Sequence, residues 1–139
     1  MTKRVLLVVG LLLLFTAQPL WAVEEQEEQA RTAAAAWLSL VDAGKYGLSW
    51  DQASDYFQKN VSKEHWQKTA QGVRIPLGTL LSRRLLASQY TTSLPGAPDG
   101  EYVVIQYAAS FSQKEAAVET VTPSRQQDGT WRVSGYYIR

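Results

Sequence analysis

Three arginines and one glutamate are the side chains through which this 139-residue chain could do polar chemistry: Arg74, Arg83, Arg84 and Glu119. Arg83 and Arg84 open a segment with strand character, Glu119 lies in a second one, and Arg74 precedes the turn-rich run Ile75-Pro76-Leu77-Gly78. Successive strand residues face opposite ways, so only one of Arg83 and Arg84 can share a sheet face with Glu119. If helices cover that face, the pair is a buried salt bridge. If the face lines a cavity, the same groups form an anion clamp, because a guanidinium meets a carboxylate or phosphate through parallel N–H bonds. The structural role is the expected one for a buried pair, and Arg74 is a third basic group that can converge there.

The single histidine, His65, follows Glu64. An acid–base couple needs both groups on one face, and neighbouring helical residues diverge by about 100°. His65 is therefore expected on the surface, with Glu64 explained by the charge preference of a helix start. One histidine and no cysteine leave no residues for a thiolate nucleophile, a disulfide or a His/Cys metal site, and a Ser-His-Asp triad would have to use His65 itself. No glycine-rich phosphate loop or nucleophile elbow is present. The expectation is no cofactor, no metal and no assigned catalytic residue.

The elements that must hold these groups follow a leader. Lys3 and Arg4 precede an apolar run over residues 5–15, and residues 16–22 read as a cleavage region ending in Ala22. That order is the pattern of a secretory signal peptide. The run is shorter than the roughly 20 apolar residues that cross a hydrocarbon core, and Gln18-Pro19 closes it. Cleavage after Ala22 is expected, giving a signal peptide over residues 1–22 and one domain over 23–139. The expected location is periplasmic or secreted, without membrane association once the leader is removed.

Of 14 basic and 13 acidic side chains, Lys3 and Arg4 belong to the leader, so the remainder carries a charge of about −1. This near-neutrality argues against a nucleic-acid partner, which calls for a basic excess on one face.

Within the domain, Ala30, Ala33, Ala34, Trp37, Leu38 and Val41 form one apolar stripe and predict a helix over residues 23–43. Glu24, Glu25, Glu27 and Glu28 crowd its start, and Gly44 stops it. Ser49 with Gln52 reads as a capping box for a second helix that ends at Lys59-Asn60. A third helix starts at Ser62, with Val61 and Trp66 as a hydrophobic staple. Trp66, Thr69, Ala70 and Val73 give its buried face, and Pro76 is expected to push Ile75 into an extended conformation.

From Leu80 onward the period becomes 2. Strands are predicted over residues 83–92, 101–111, 116–122 and 130–139, with a hairpin at Asp128-Gly129 and a bulge or bend at Gly135. In the second strand Val103, Ile105, Tyr107, Ala109 and Phe111 share a face. Tyr136 and Tyr137 must point to opposite faces. The fold class is α+β, N-terminal helices packed on one face of a C-terminal antiparallel meander of about four strands.

Several motifs together resemble a known family. They are Trp50…Phe57, Val61-Ser62…Trp66, Arg74…Leu77-Gly78, the loop Leu94-Pro95-Gly96-Ala97-Pro98-Asp99-Gly100, Glu119-Thr120-Val121, and the ending Gly129-Thr130-Trp131-Arg132-Val133-Ser134-Gly135-Tyr136. The chain resembles the bacterial domain-of-unknown-function 4019 family over about residues 33–138. The resemblance implies a small exported bacterial protein and carries neither an activity nor residue roles. The order of elements is also similar to cystatin-like and nuclear-transport-factor-like rolls, a likeness of fold alone.

The leading functional expectation is a non-catalytic binding or accessory module for an unknown small ligand or protein. One alternative is a self-associating structural protein, a homodimer through an open sheet face. The other is an enzyme working through Glu119, an arginine and a tyrosine, which requires those side chains to converge on an open pocket.

Overall fold

The computed structural model describes residues 17–139; the charged start and apolar run of the expected leader lie within residues 1–16, outside the described residues. Four helices, α1 (Leu20–Asp42), α2 (Tyr46–Asp51), α3 (Asp55–Asn60) and α4 (Lys63–Leu77), precede four strands. The strands are β1 (Leu80–Thr91), β2 (Tyr102–Phe111), β3 (Lys114–Arg125) and β4 (Trp131–Ile138). They form one sheet in the order β1-β2-β3-β4, every neighbouring pair antiparallel. The class is α+β, with helices packed on a meander, as the change of period predicts.

The α1 stripe is buried at Ala30, Ala34, Trp37, Leu38 and Val41, against Val103, Ile105, Tyr107, Val121 and Val133 of the sheet. The helix begins at Leu20 rather than at residue 23, with Pro19 at its start. The glutamates consequently sit beyond the first turn. Glu27 has a different task, accepting the backbone N–H of Tyr90 at 2.9 Å. Gly44 ends the run as expected: it adopts φ +73°, and the Lys45 N–H returns to the Leu40 carbonyl at 2.8 Å.

The second predicted helix is two short ones, and Ser49 caps neither. It is buried inside α2, where its Oγ donates to the Tyr46 carbonyl at 2.6 Å and accepts the Trp66 indole N–H at 2.9 Å. Its carbonyl accepts the Trp37 indole N–H at 2.8 Å. Two buried indole donors need acceptors, and that demand outweighs the local capping pattern. The cap falls to Ser54, whose Oγ accepts the Phe57 N–H at 3.1 Å.

Ser62 caps α4 as expected, through the His65 N–H at 3.2 Å. The helix then continues through Gly72 and Pro76, so Ile75 is helical, not extended. Pro76 lies in the last turn, where the one bond it cannot make is to the carbonyl of exposed Gly72, a small loss. The buried face of α4 also differs from expectation. Thr69 and Val73 are exposed, and the inward step after Trp66 and Ala70 is Arg74.

On β2 the five alternating residues predicted to share a face are buried, whereas Val104, Gln106, Ala108 and Ser110 on the reverse are only partly so. β1 and β3 run longer than predicted. Register shifts set Leu81 and Leu86 as extra residues in β1. A third shift, at Thr122/Pro123, makes Ser134 the extra residue beside Gly135, the bend foreseen there. Tyr136 faces the core and Tyr137 is 56% exposed. Phe57, Trp66, Trp37 and Tyr136 form one aromatic cluster, with ring centroids 5.2 to 6.4 Å apart.

Candidate functional site

The inward residues of β2 alternate in size, with Ala109 between Tyr107 and Phe111. Ala109 stands opposite Arg83 on β1 and Ala117 on β3, and Glu119 of β3 stands opposite Tyr107. Two alanines give the Arg83 side chain space to lie across β2 and reach Glu119. Its Nε donates to Oε1 at 2.6 Å and its Nη2 to Oε2 at 3.1 Å. Tyr136 donates its hydroxyl to Oε2 at 2.5 Å. Glu119 is completely buried.

The other edge of the same guanidinium holds Asp42, the last residue of α1. Arg83 Nη1 donates to Oδ2 at 2.8 Å and Nη2 to Oδ1 at 2.9 Å. Arg74, at the inward step of α4, donates from Nη2 to the same Oδ1 at 2.7 Å. Five elements thus contribute one group each: α1, α4, β1, β3 and β4. Two positive and two negative side chains balance, and each of the four carboxylate oxygens already accepts a hydrogen bond.

The electrostatics follow from that geometry. Burial alone would raise the Asp42 pKa, but hydrogen bonds and charges from Arg83 and Arg74 outweigh it and lower it. Burial would lower the Arg83 pKa, and its bonds to Asp42 and Glu119 raise it instead. Burial, then the charge and hydrogen bond of Glu119, raise the Tyr136 hydroxyl pKa, so it remains a protonated donor. Arg74 lies over the Phe111 ring, its guanidinium carbon 5.0 Å from the centroid. Its Nε and Nη1 are buried and have no hydrogen-bond acceptor.

The structure therefore brings together Arg74, Arg83 and Glu119, and separates Arg84 from them. Arg84 is opposite Ala108 on the reverse face of the sheet and is exposed. There it borders an open concavity of about 480 Å³ with Leu86, Ala108 and Val118. His65 is exposed, and Glu64 pairs with Lys68 at 2.9 Å.

Two members of the cluster escape the sequence reading. Asp42 has a signal: a carboxylate at a helix C-terminus opposes the dipole and calls for a compensating cation. Tyr136 has a weaker one, the requirement that one of two adjacent tyrosines face inward.

Among the described residues no group of three or more His, Cys, Asp or Glu is placed to hold a metal ion. Likewise, no helix among them is long and apolar enough to cross a membrane. Residues 33–136 match the family described as "Protein of unknown function (DUF4019)", and over that span the chain belongs to it. No curated protein matches the chain.

Proposed function

With membership of that family as its premise, we propose that the chain is an exported, non-catalytic binding or accessory module of the bacterial periplasm. The observation that carries this reading is the closed state of the charged constellation around Glu119. A general base or nucleophile needs a lone pair within reach of a substrate. Glu119 is fully buried with both oxygens engaged, and Asp42 has both of its own engaged by arginines. The open pocket that an enzyme would need around Glu119 is taken up by Arg83 and Tyr136. The cluster serves as a clamp between helices and sheet.

Two features support export. Leu20 and Trp21 project from the start of α1 at 89% and 69% exposure, and the buried stripe begins only at Ala30. Cleavage after Ala22 would leave the core untouched and would bring Glu24 and Glu25 into the first turn, where they favour the helix dipole. Intact-mass measurement on the protein from the periplasm should give a chain beginning at Val23; full-length protein retained in the cytoplasm would overturn export. Native mass spectrometry and thermal shift after incubation with periplasmic extract test the binding role. A retained species is expected, and its absence in both would count against the module.

Self-association is the second reading, favoured by the edge of the sheet. β1 ends the sheet and exposes Leu81, Leu85 and Leu86 at 66%, 45% and 46%. An open edge strand invites pairing. Light scattering after size exclusion should give a concentration-dependent mass if β1 pairs with its copy, and a constant monomer mass ends this reading.

A further inference from the structure

We propose that the reverse face of the sheet is a homodimer interface. The partner it fits is a second copy of this chain, related by a two-fold axis that runs along β2. The inference rests on the self-association reading and moves its contact from the edge of β1 to the face.

The face is uncovered and large enough. The helices pack on the other side of the sheet, against Val103, Ile105, Tyr107, Val121 and Val133. On the reverse, Val104, Ala108 and Val118 stay partly accessible, and Ala116 and Leu86 are exposed. Four strands about 4.8 Å apart, with about ten residues each at about 3.4 Å, make a face of roughly 650 Å². Two such faces bury about 1,300 Å², within the roughly 1,200–2,000 Å² of specific interfaces.

The edge of β1 is the more obstructed surface. Glu27 occupies the Tyr90 N–H at 2.9 Å, and Arg31 reaches Ser88 Oγ at 3.3 Å. Leu81 and Leu86 are extra residues that interrupt a continuous ladder with another strand.

Self-complementarity selects the second copy. The concavity of about 480 Å³ on this face has a floor of Ala108, Ala116 and Val118, with Leu86 at its β1 side. Apart from Arg83, which is held in the buried cluster, its charged residues are Arg84, Glu115 and Arg139. None of these three forms an ion pair among the described residues. Arg84 belongs to β1 and Glu115 to β3, on opposite sides of β2. An axis along β2 exchanges those two strands, so it lays Arg84 of each copy over the strand of the other that carries Glu115. Arg84 and Val118 stand level with Ala108, which sets Leu86 against the small-residue floor of the facing copy. Each contact is made twice, as a two-fold requires. A partner of uniform charge would leave one of the two signs unmatched.

Light scattering after size exclusion over a dilution series should show a dimer with a dissociation constant of about micromolar, the weak end for an interface of this size. Ala108→Arg, at the centre of the face, should leave only monomer. Arg84→Glu or Glu115→Arg places like charges at two symmetric positions and should weaken the dimer about tenfold or more. Both changes in one chain restore opposite charges and should restore the dimer. Leu81→Lys, which blocks edge pairing, should leave it intact. Each variant is checked for the parent's melting temperature at dilutions where the protein is monomeric. If Ala108→Arg does not fold, the charge reversals decide.

A dimer that survives Ala108→Arg overturns the face, and its loss in Leu81→Lys would leave self-association through the edge standing. A double reversal as weak as its singles overturns the pairing of Arg84 with Glu115, and with it the proposed two-fold. A monomer at every concentration overturns both the face and the self-association reading.

Discussion

Two of the buried polar regions among the described residues are built differently. One is the charged cluster of Arg74, Asp42, Arg83, Glu119 and Tyr136. The other is a neutral relay in which Ser54 bonds to Ser134 at 2.6 Å, Ser134 to Ser124 at 2.5 Å, and Gln126 donates to Ser124 at 3.0 Å. The relay fixes one short helix, α3, onto the hairpin of β3 and β4, helped by the Ser54 N–H on the Val133 carbonyl at 2.9 Å. The charged cluster joins both long helices to three strands. Hydroxyls lose less than charges do on leaving water, so a relay tolerates the loss of a member better. Charges lose much, and each depends on the others for compensation. The first region should therefore respond steeply to single substitutions and to pH, and the second should do neither.

The largest effect is expected where one side chain serves two carboxylates. Arg83→Met leaves Glu119 fully buried and Asp42 with Arg74 alone, and should cost about 3–5 kcal/mol in urea unfolding. The double variant Arg83→Met/Glu119→Leu should cost less than the sum of its singles, since no charge is stranded at Glu119. A loss below about 1 kcal/mol for Arg83→Met would place the cluster on a par with the relay and break the contrast.

Next comes Asp42→Asn, at about 2 kcal/mol, because it weakens charge-assisted bonds to two arginines. The acid limb gives the sign. The folded-state pKa of Asp42 is lowered from 3.8, so its contribution is present above that value and is lost as pH falls through the folded pKa. Melting temperature measured from pH 5 down to pH 2 should fall in the parent, and Asp42→Asn should lose that part of the fall. An unchanged acid limb in the variant would mean that Asp42 is not held by the arginines as described.

How far the sequence could reveal these regions depends on what each residue needs. Period 2 in β2 made the covered face legible, because burial of Val103, Ile105, Tyr107, Ala109 and Phe111 is a local pattern. Strand parity also let only one of Arg83 and Arg84 share the face of Glu119, and the structure shows that it is Arg83. The pairing with Asp42 is not local: it depends on where α1 ends relative to β1, 41 residues away. The same distinction explains Ser49. Its capping pattern is visible within four residues, whereas the indole donors of Trp37 and Trp66 that claim it come from 12 and 17 residues away. Pro76 looked like a helix stop because proline disfavours the preceding helical residue, but the last turn of α4 tolerates one missing bond.

Two intermediate substitutions sharpen the comparison from either side. Tyr136→Phe removes one of three donors to Glu119 and should cost about 1.5 kcal/mol. Its folded-state pKa is raised above 10.0, so its contribution is intact below that pH and is lost as pH climbs toward the folded value. The variant should show a shallower alkaline limb, with the remainder carried by Tyr90, Tyr102 and Tyr107, which burial also raises. Ser54→Ala should cost about 1 kcal/mol through the lost cap. Its stability should keep the acid and alkaline limbs of the parent, and a changed limb would mean the two regions are coupled.

The smallest effect should come from the residue next to the one with the largest. Arg84 is exposed on the reverse face, opposite Ala108, and Arg84→Met should remain within about 0.5 kcal/mol of the parent. Arg83→Met and Arg84→Met are the same chemical change one position apart on the same strand. A strand that slips by one residue exchanges its two faces, so equal losses, or a larger loss at Arg84, would show that β1 pairs in another register. The bulges at Leu81 and Leu86 bracket the two arginines and resist such a slip, because moving the register would require both irregularities to move together. A large difference between the two variants, measured side by side in urea, therefore tests the register on which the cluster depends.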